Sequence, residues 1–125
     1  MKNTLDESRP IYLQIKAYIA DSILNGSMKI GERVPSTNEL AKFYNINPAT
    51  ARQGMTELVN EEILRKQRGV GMFVTEEAKN ILIAGRKKDF YQDYIKPLKR
   101  EAEKLEISNQ ELLQMMEKEE LNNED

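Results

Sequence analysis

The sequence predicts a mainly α fold with one small β-hairpin, namely a winged helix-turn-helix followed by a short C-terminal helical region. Two capped helical segments are separated by about four residues, and two short strand-like segments flank a glycine turn directly after the second helix. From Glu76 onward the chain becomes densely charged and helical in pattern. A chain of 125 residues therefore accommodates one compact domain, residues 9–75, and an appended helical region, residues 76–119.

The first helix is predicted to begin at Pro10 and to end at Asn25-Gly26. Proline suits the first turn of a helix, where its missing N–H has no partner to lose. Apolar residues then recur three or four positions apart, as in an amphipathic helix, at Ile11, Ile15, Tyr18, Ile19 and Ile23. Gly26 can adopt the left-handed conformation that closes a helix. The polar ends, residues 1–8 and 120–125, are expected to be mobile.

Two capping signals mark the second and third helices. Ser36 and Glu39 fit a capping box, in which each side chain accepts a hydrogen bond from the other residue's backbone amide. Asn47 then supplies a cap and Pro48 a first helical residue for a helix that continues to about Asn60. The short break between these helices is typical of a helix-turn-helix.

A β-hairpin is predicted directly after the third helix. Residues 63–67 and 71–75 have the composition of short strands, and the turn Arg68-Gly69-Val70-Gly71 lies between them. Glycine supplies the positive φ that such a turn needs. A hairpin in this position is a wing.

The C-terminal region is expected to be helical with two interruptions, a weak one at Gly85 and a stronger one at Pro97. A second capping box, Ser108 with Glu111, opens a last helix in which apolar side chains are expected to face inward. These side chains are Leu112, Leu113 and Met116.

An apolar stripe follows the helical spacing of this region, at Phe90, Tyr94, Leu98, Ala102 and Leu105. Two short helices cannot bury such a stripe by themselves, so a second subunit is the favoured partner. The predicted dimer interface consists of Phe90, Tyr94, Leu98, Leu105, Leu112 and Met116. Packing against the chain's own domain and a small-molecule pocket are the alternatives.

The absence of Cys and His from the sequence excludes several chemistries. It removes disulfides, thiolate zinc sites, cysteine nucleophiles and the Ser-His-Asp arrangement. Gly69 and Gly71 lack the third glycine and the following apolar helix of a phosphate-binding loop. The sequence therefore predicts a binding protein with no catalytic site, cofactor or metal.

No apolar stretch approaches the ~18 residues of a membrane helix. The first ten residues carry two acids before any apolar run, unlike a secretory signal. A cytoplasmic location without a membrane partner is expected.

Charge is unevenly distributed: residues 1–75 hold ten Lys and Arg against eight Asp and Glu, whereas residues 76–125 hold nine Lys and Arg against thirteen Asp and Glu. A local basic cluster at Arg65, Lys66 and Arg68 favours nucleic acid despite a sequence pI of about 5.4.

Four separated blocks resemble the GntR family of bacterial transcription regulators, and within it the small YtrA-like subfamily. They are PIYLQI (10–15), VPSTNELA (34–41), NPATARQGMTEL (47–58) and RGVGMFV (68–74). The resemblance covers residues 9–75 and extends more loosely over 76–119, where the subfamily has a short helical dimerisation region. The chain departs from the family pattern at four positions. Asn38 replaces a common Arg, Gly54 a usual Ala, Met55 a usual aromatic residue and Glu62 a usual Gly.

The resemblance implies a homodimer that binds a palindromic operator in double-stranded DNA, most often as a repressor, and commonly beside transporter genes. By position, the family's DNA contacts fall on Ser36, Asn38, Asn47, Ala49, Thr50, Arg52, Lys66, Arg68 and Gly69. The existence and identity of a small-molecule effector stay open, because nothing in the sequence is similar to a dedicated sensor domain.

The chemistry of these residues suits DNA, although each also has a simpler explanation. Ser36 and Asn47 can cap helices and also donate to phosphate. Arg52 can grip a guanine edge in the major groove, or it can be an exposed ion-pair partner. Arg68 can enter a minor groove, or it can belong to an ordinary solvated turn. The alternative function is a winged-helix protein–protein interaction module without sequence-specific DNA binding, which the acidic second half favours.

Overall fold

The computed structural model describes residues 5–118, so the predicted mobile residues 1–4 and 120–125, and Glu119 of the predicted helical region, lie outside it. The elements are α1 (Ile11–Leu24), α2 (Thr37–Tyr44), α3 (Pro48–Asn60), β1 (Leu64–Gln67), β2 (Gly71–Val74), α4 (Ala78–Phe90), a π-helical turn (Tyr91–Ile95), α5 (Lys96–Lys104) and α6 (Asn109–Glu117). The predicted fold class is confirmed. The chain forms two compact units, Met1–Gly85 and Arg86–Asp125. Within residues 5–118 no helix is both long and apolar enough to cross a membrane.

The predicted starts and ends of the first three helices agree closely with the structure. One difference concerns Pro10, which the prediction places inside the first turn of α1. In the structure it directly precedes α1, with ψ at 126°. Gly26 takes a φ of 89° just beyond the helix, as expected for a terminating glycine. Asn45, also in the left-handed region with φ at 57°, ends α2. Asn47 caps α3 by accepting a hydrogen bond of 2.8 Å from the Ala49 amide.

Strands β1 and β2 pair antiparallel, with Leu64 opposite Val74 and Gln67 opposite Gly71. The connector between α1 and α2 pairs with the other side of β2. There the Gly31 amide donates to Val74 and the Val34 amide donates to Met72, each over 2.9 Å. Strand β2 is therefore held between β1 and residues 31–34, and the hairpin of residues 64–74 is called the wing below.

The core of the first unit joins all three helices to the wing. Its largest fully buried side chains are Ile15, Ile19, Val34, Met55, Leu58, Ile63, Leu64 and Val74. Val34 comes from the connector, Met55 and Leu58 from α3, and Val74 from the wing. Because protein interiors are close-packed, these contacts fix the wing relative to α3.

The structure shows the surroundings of three of the four departures from the family pattern. At Gly54, an added Cβ would lie 2.7 Å from the Tyr12 carbonyl oxygen, so α3 and α1 meet there at backbone distance. Met55 is completely buried. Glu62 adopts a φ of 65°, the left-handed conformation for which glycine is the usual choice.

α1 and α3 are also linked by charge. Lys16 of α1 donates to Glu57 over 3.0 Å and bonds Glu61 as well. The Lys16 side chain is largely covered, at 22% exposure. The ion pairs and the close approach at Gly54 act on the same pair of helices, and together they set how α3 is seated on α1.

The second unit is helical, with some differences from the prediction. Gly85 does not interrupt α4, which continues to Phe90. Ahead of Pro97 the chain widens into the π-helical turn, where the Lys96 amide donates to the Tyr91 carbonyl. The capping box of Ser108 and Glu111 is present at the start of α6.

The expected inward orientation of the α6 side chains is wrong. Leu113 is 56% and Met116 62% exposed, and Leu112 is half-buried. Leu113 and Met116 therefore form part of an apolar surface that is mostly exposed in this unit.

Candidate nucleic-acid interface

A groove of about 470 Å³ lies between the start of α2, the exposed side of α3 and the wing. Its lining is formed by Arg33, Ser36, Thr37, Asn38, Arg52, Thr56, Val59, Lys66, Gln67, Gly69, Val70, Gly71 and Met72. Five of the residues predicted to contact DNA are among them: Ser36, Asn38, Arg52, Lys66 and Gly69. The fold therefore brings residues from three separate elements to one surface.

The other four predicted contact residues lie outside the groove lining. Asn47 and Ala49 are exposed and Thr50 is half-buried at the start of α3, while Arg68 is exposed at the tip of the wing. They belong to a helix end and a hairpin end, and Asn47, Thr50 and Arg68 carry polar or cationic side chains there. Their role in DNA binding stays a prediction.

The groove is cationic. Arg33, Arg52 and Lys66 line it, and among the described residues none of the lining side chains is acidic. Phosphate groups contribute one negative charge per backbone unit of DNA, and Lys and Arg side chains neutralise them. The net charge of −2 for the whole chain therefore conceals a local positive surface.

The start of α2 presents a capped helix end to this groove. Ser36 accepts from the Glu39 amide over 3.0 Å, and the Glu39 carboxylate accepts from the Ser36 amide over 2.7 Å. Hydrogen bonds from the Ser36 amide and hydroxyl, together with the nearby Arg33 charge, hold the pKa of Glu39 below its ordinary value.

Arg52 lies on the exposed side of α3, opposite the buried residues Ala51, Met55 and Leu58. Thr56 follows one helical turn later and lines the same groove. The sequence analysis missed Thr56, although the four-residue spacing from Arg52 was a usable signal. It also missed Arg33, for which no local signal exists, because the pairing of the connector with β2 brings it there.

The two faces of the wing differ in character. Side chains alternate along a strand, so Lys66 shares the face of buried Leu64, whereas Arg65 points to the opposite face. Arg65 lies over the Phe73 ring at 5.1 Å from its centroid. The predicted basic cluster is thus divided, with Lys66 at the groove and Arg65 away from it.

The residues predicted to form the dimer interface present an apolar surface on the second unit. Phe90, Tyr94 and Leu105 are 52%, 64% and 60% exposed, and Leu98 is 39% exposed. The Phe90 and Tyr94 rings contact each other at 5.3 Å between centroids. Soluble proteins rarely leave such contiguous apolar patches without a partner.

The second unit also has a shallow concavity of about 620 Å³, lined in part by Tyr91, Lys96, Lys99 and Arg100. The Lys99 ammonium lies 5.7 Å from the centroid of the Tyr91 ring. No group of three or more metal-ligating side chains occurs among residues 5–118. The expectation of a small-molecule effector stays a prediction.

Residues 11–74 match the family described as "Bacterial regulatory proteins, gntR family". The chain is similar to the HTH-type transcriptional repressor YtrA of Bacillus subtilis (strain 168), with 39% identity over 79 residues. That alignment covers 63% of this chain and 61% of the relative, so the similarity spans less than two thirds of the Bacillus protein.

Two solved structures are also similar to the chain. A GntR family transcriptional regulator from Listeria monocytogenes superposes with a TM-score of 0.70 at 29% identity, covering 90% of this chain and 96% of its own. The DNA-binding domain of AraR, in a complex with operator ORX1, superposes with a TM-score of 0.52 at 29% identity. This match covers 60% of the present chain and 92% of the AraR chain.

Proposed function

Because the chain belongs to the GntR family of bacterial regulatory proteins, we propose that it is a transcription regulator that binds an operator in double-stranded DNA as a homodimer and represses the adjacent genes. The observation that carries this proposal is the groove, where a helix start, the exposed side of α3 and a cationic wing converge. The role is exercised in the cytoplasm and includes no catalytic step. The operator complex of the similar AraR domain supports this function.

In the proposed complex, the start of α3 enters the major groove. Asn47, Ala49 and Thr50 lie at the tip that enters first, and Arg52 follows within one turn. A guanidinium that bonds the two acceptors of a guanine edge typically contributes about 1–3 kcal/mol of discrimination. We infer that Arg52 reads sequence.

The wing and α2 position the protein on the backbone. Lys66 and Ser36 line the groove and have donors suited to phosphate, which fix register without reading bases. Arg68, exposed at the wing tip beside Gly69, is placed to enter the neighbouring minor groove, where the negative potential is strongest.

The second unit supplies the dimer contact in this proposal. The exposed apolar side chains of Phe90, Tyr94 and Leu98 recur every four residues on adjoining helical segments, so a second copy can cover them along one line. A symmetric dimer presents two grooves to two half-sites about one helical turn apart, which requires a palindromic operator.

The function is tested with fluorescently labelled DNA from the region upstream of the gene that encodes this protein. Binding is measured by fluorescence anisotropy at several salt concentrations. We expect sequence-selective binding that weakens steeply with salt. Each phosphate that the protein neutralises should lower the slope of the logarithm of the binding constant, plotted against the logarithm of the salt concentration, by about 0.9. Arg52→Ala and Arg68→Ala should each weaken binding at least about tenfold, equivalent to 1.4 kcal/mol.

Arg65→Ala is the matched control, because it removes the same charge from the opposite face of the wing. Equal affinity for operator DNA and scrambled DNA would refute the proposed function as a sequence-specific regulator. It would favour the alternative, a protein–protein interaction module that uses the acidic second unit.

The dimer is tested separately by sedimentation equilibrium. Tyr94→Lys adds a charge to the centre of the exposed stripe, so we expect it to shift the protein toward monomer while the first unit stays folded. Lys87→Glu on α4 changes charge at an exposed position and serves as control. A wild-type protein that stays monomeric at micromolar concentration would refute the proposed assembly.

A further inference from the structure

We propose that Arg33 is a positioning residue that holds the tip of the wing at a fixed place relative to α2, so that Arg68 is oriented before DNA arrives. The proposal rests on the DNA-binding function proposed above and adds a residue outside the predicted contact set. It follows from contacts at both ends of the Arg33 side chain.

The backbone of Arg33 is anchored to the wing. Arg33 forms an antiparallel bridge with Phe73 of β2, and the neighbouring Val34 amide donates to the Met72 carbonyl over 2.9 Å. Val34 itself is fully buried in the core. The start of the Arg33 side chain is therefore fixed beside the hairpin.

The side chain then lies along the wing and reaches its turn. The Arg33 Nε donates to the Val70 carbonyl over 3.3 Å, in the loop that carries Arg68 and Gly69. A Cβ added to Gly71 would lie 2.7 Å from Nε and 3.2 Å from Cδ of Arg33. Since Gly71 also has a φ of 151°, glycine at this position allows both the strand conformation and the passage of the arginine stem.

The far end of the guanidinium faces α2. One terminal nitrogen of Arg33 lies 3.9 Å from the Glu39 carboxylate oxygen. That same oxygen accepts from the Ser36 amide in the capping box of α2. Arg33 therefore connects two walls of the groove, the wing turn and the start of α2, and its side chain is about half exposed.

Such a link matters for the turn of the wing, because residues 68–70 are exposed and lie beyond the buried residues Leu64 and Val74 that hold the strands. A turn that moves freely must be ordered when it binds DNA, and this ordering weakens binding. A guanidinium has five donors in a rigid fork, so it can bond a carbonyl and a carboxylate together, whereas a lysine ammonium is one flexible point charge.

The test compares Arg33→Met and Arg33→Lys with Arg65→Met, which removes the same charge from the other face of the wing. Operator affinity should fall about threefold to tenfold in both Arg33 variants, as expected for one charged hydrogen bond at a half-exposed site, and little in the control. An operator affinity of Arg33→Lys equal to that of the wild type would overturn the proposal, because the positive charge alone would then be enough for full affinity.

A double-mutant cycle separates positioning from direct contact. If Arg33 acts through the wing tip, Arg33→Met should cost less than about twofold in a protein that already carries Arg68→Ala. Additive losses, together with a salt slope reduced by about 0.9 in Arg33→Met alone, would show a direct phosphate contact and overturn the positioning role.

A measurement without DNA keeps this inference distinct from the proposed function. The backbone order parameters of Gly69 and Val70, measured by NMR on the full chain, should fall in Arg33→Met and stay unchanged in Arg65→Met. If the wild type binds no operator, the proposed function fails, yet these amides still report the link. Unchanged order parameters in Arg33→Met would overturn the inference whatever the protein binds.

Discussion

Replacing Gly54 by alanine is expected to destabilise the protein, although helix propensity alone favours the change. An alanine Cβ at this position would lie 2.7 Å from the Tyr12 carbonyl oxygen and 3.5 Å from Ile15 Cβ. The first of these is a backbone atom of α1, which cannot rotate aside as a side chain can. The substitution must therefore separate α1 from α3, and it disturbs the core that lies between them.

Two opposing terms set the magnitude. Alanine is preferred over glycine inside a helix by about 1 kcal/mol. Inserting a methyl group into a well-packed core costs about 1–3 kcal/mol, a range that already includes the gain from apolar burial. Because the obstructing atom belongs to the backbone, the upper part of that range applies, and the net loss is about 1–2 kcal/mol.

Gly85→Ala is the matched control, because Gly85 lies inside α4 with nothing within 4 Å of an added Cβ. It should stabilise by about 0.5–1 kcal/mol. Urea unfolding at one protein concentration measures both variants. A Gly54→Ala midpoint that rises together with that of Gly85→Ala would show that α1 and α3 do not meet at backbone distance.

Two further predictions concern a helix end and a capping box. Glu62→Gly should stabilise by about 0.5–1 kcal/mol, because glycine accepts the left-handed conformation without strain. Glu62→Ala removes the same carboxylate but keeps a Cβ, so it should bring no such gain, and a gain of equal size in both thermal melts would contradict this explanation. The second prediction follows from the lowered pKa of Glu39. Its stabilising effect is complete above the ordinary value of 4.5 and is lost as pH falls through the lower pKa of the folded state. The stability advantage of wild type over Glu39→Gln should therefore shrink from pH 5 toward pH 3 in unfolding titrations, and a constant difference would exclude the carboxylate charge as its source.

The features that could be predicted from the sequence are those encoded within a few residues. The capping boxes at Ser36 and Ser108 need a hydroxyl and a glutamate three positions apart, and both form as expected. The wing turn needs a glycine with positive φ, and Gly69 has one at 78°. In each case the partners are neighbours in sequence, so no knowledge of the tertiary fold is required.

The features that could not be predicted depend on contacts between distant segments. Arg33 reaches the groove because the connector pairs with a strand about forty residues later, and no local pattern encodes that pairing. Phe73 could not be matched with Arg33 for the same reason. The inward orientation expected for Leu113 and Met116 failed because periodicity identifies an apolar face without showing what covers it.

The departures from the family pattern act on different properties of α3 and its surroundings. Gly54 and Met55 lie on the buried side of the helix, so they change how α3 sits against α1 and leave the side bearing Arg52 intact. Asn38 instead lines the groove, where an arginine is common in the family, and it removes a cation from that wall. Arg33 reaches the same groove from the connector, but its guanidinium lies 3.9 Å from the Glu39 carboxylate, so it does not replace that arginine as a free cation. We therefore expect the wall formed by α2 to contribute less to phosphate attraction in the proposed complex, and Arg52 and Lys66 to supply the positive charge of the groove.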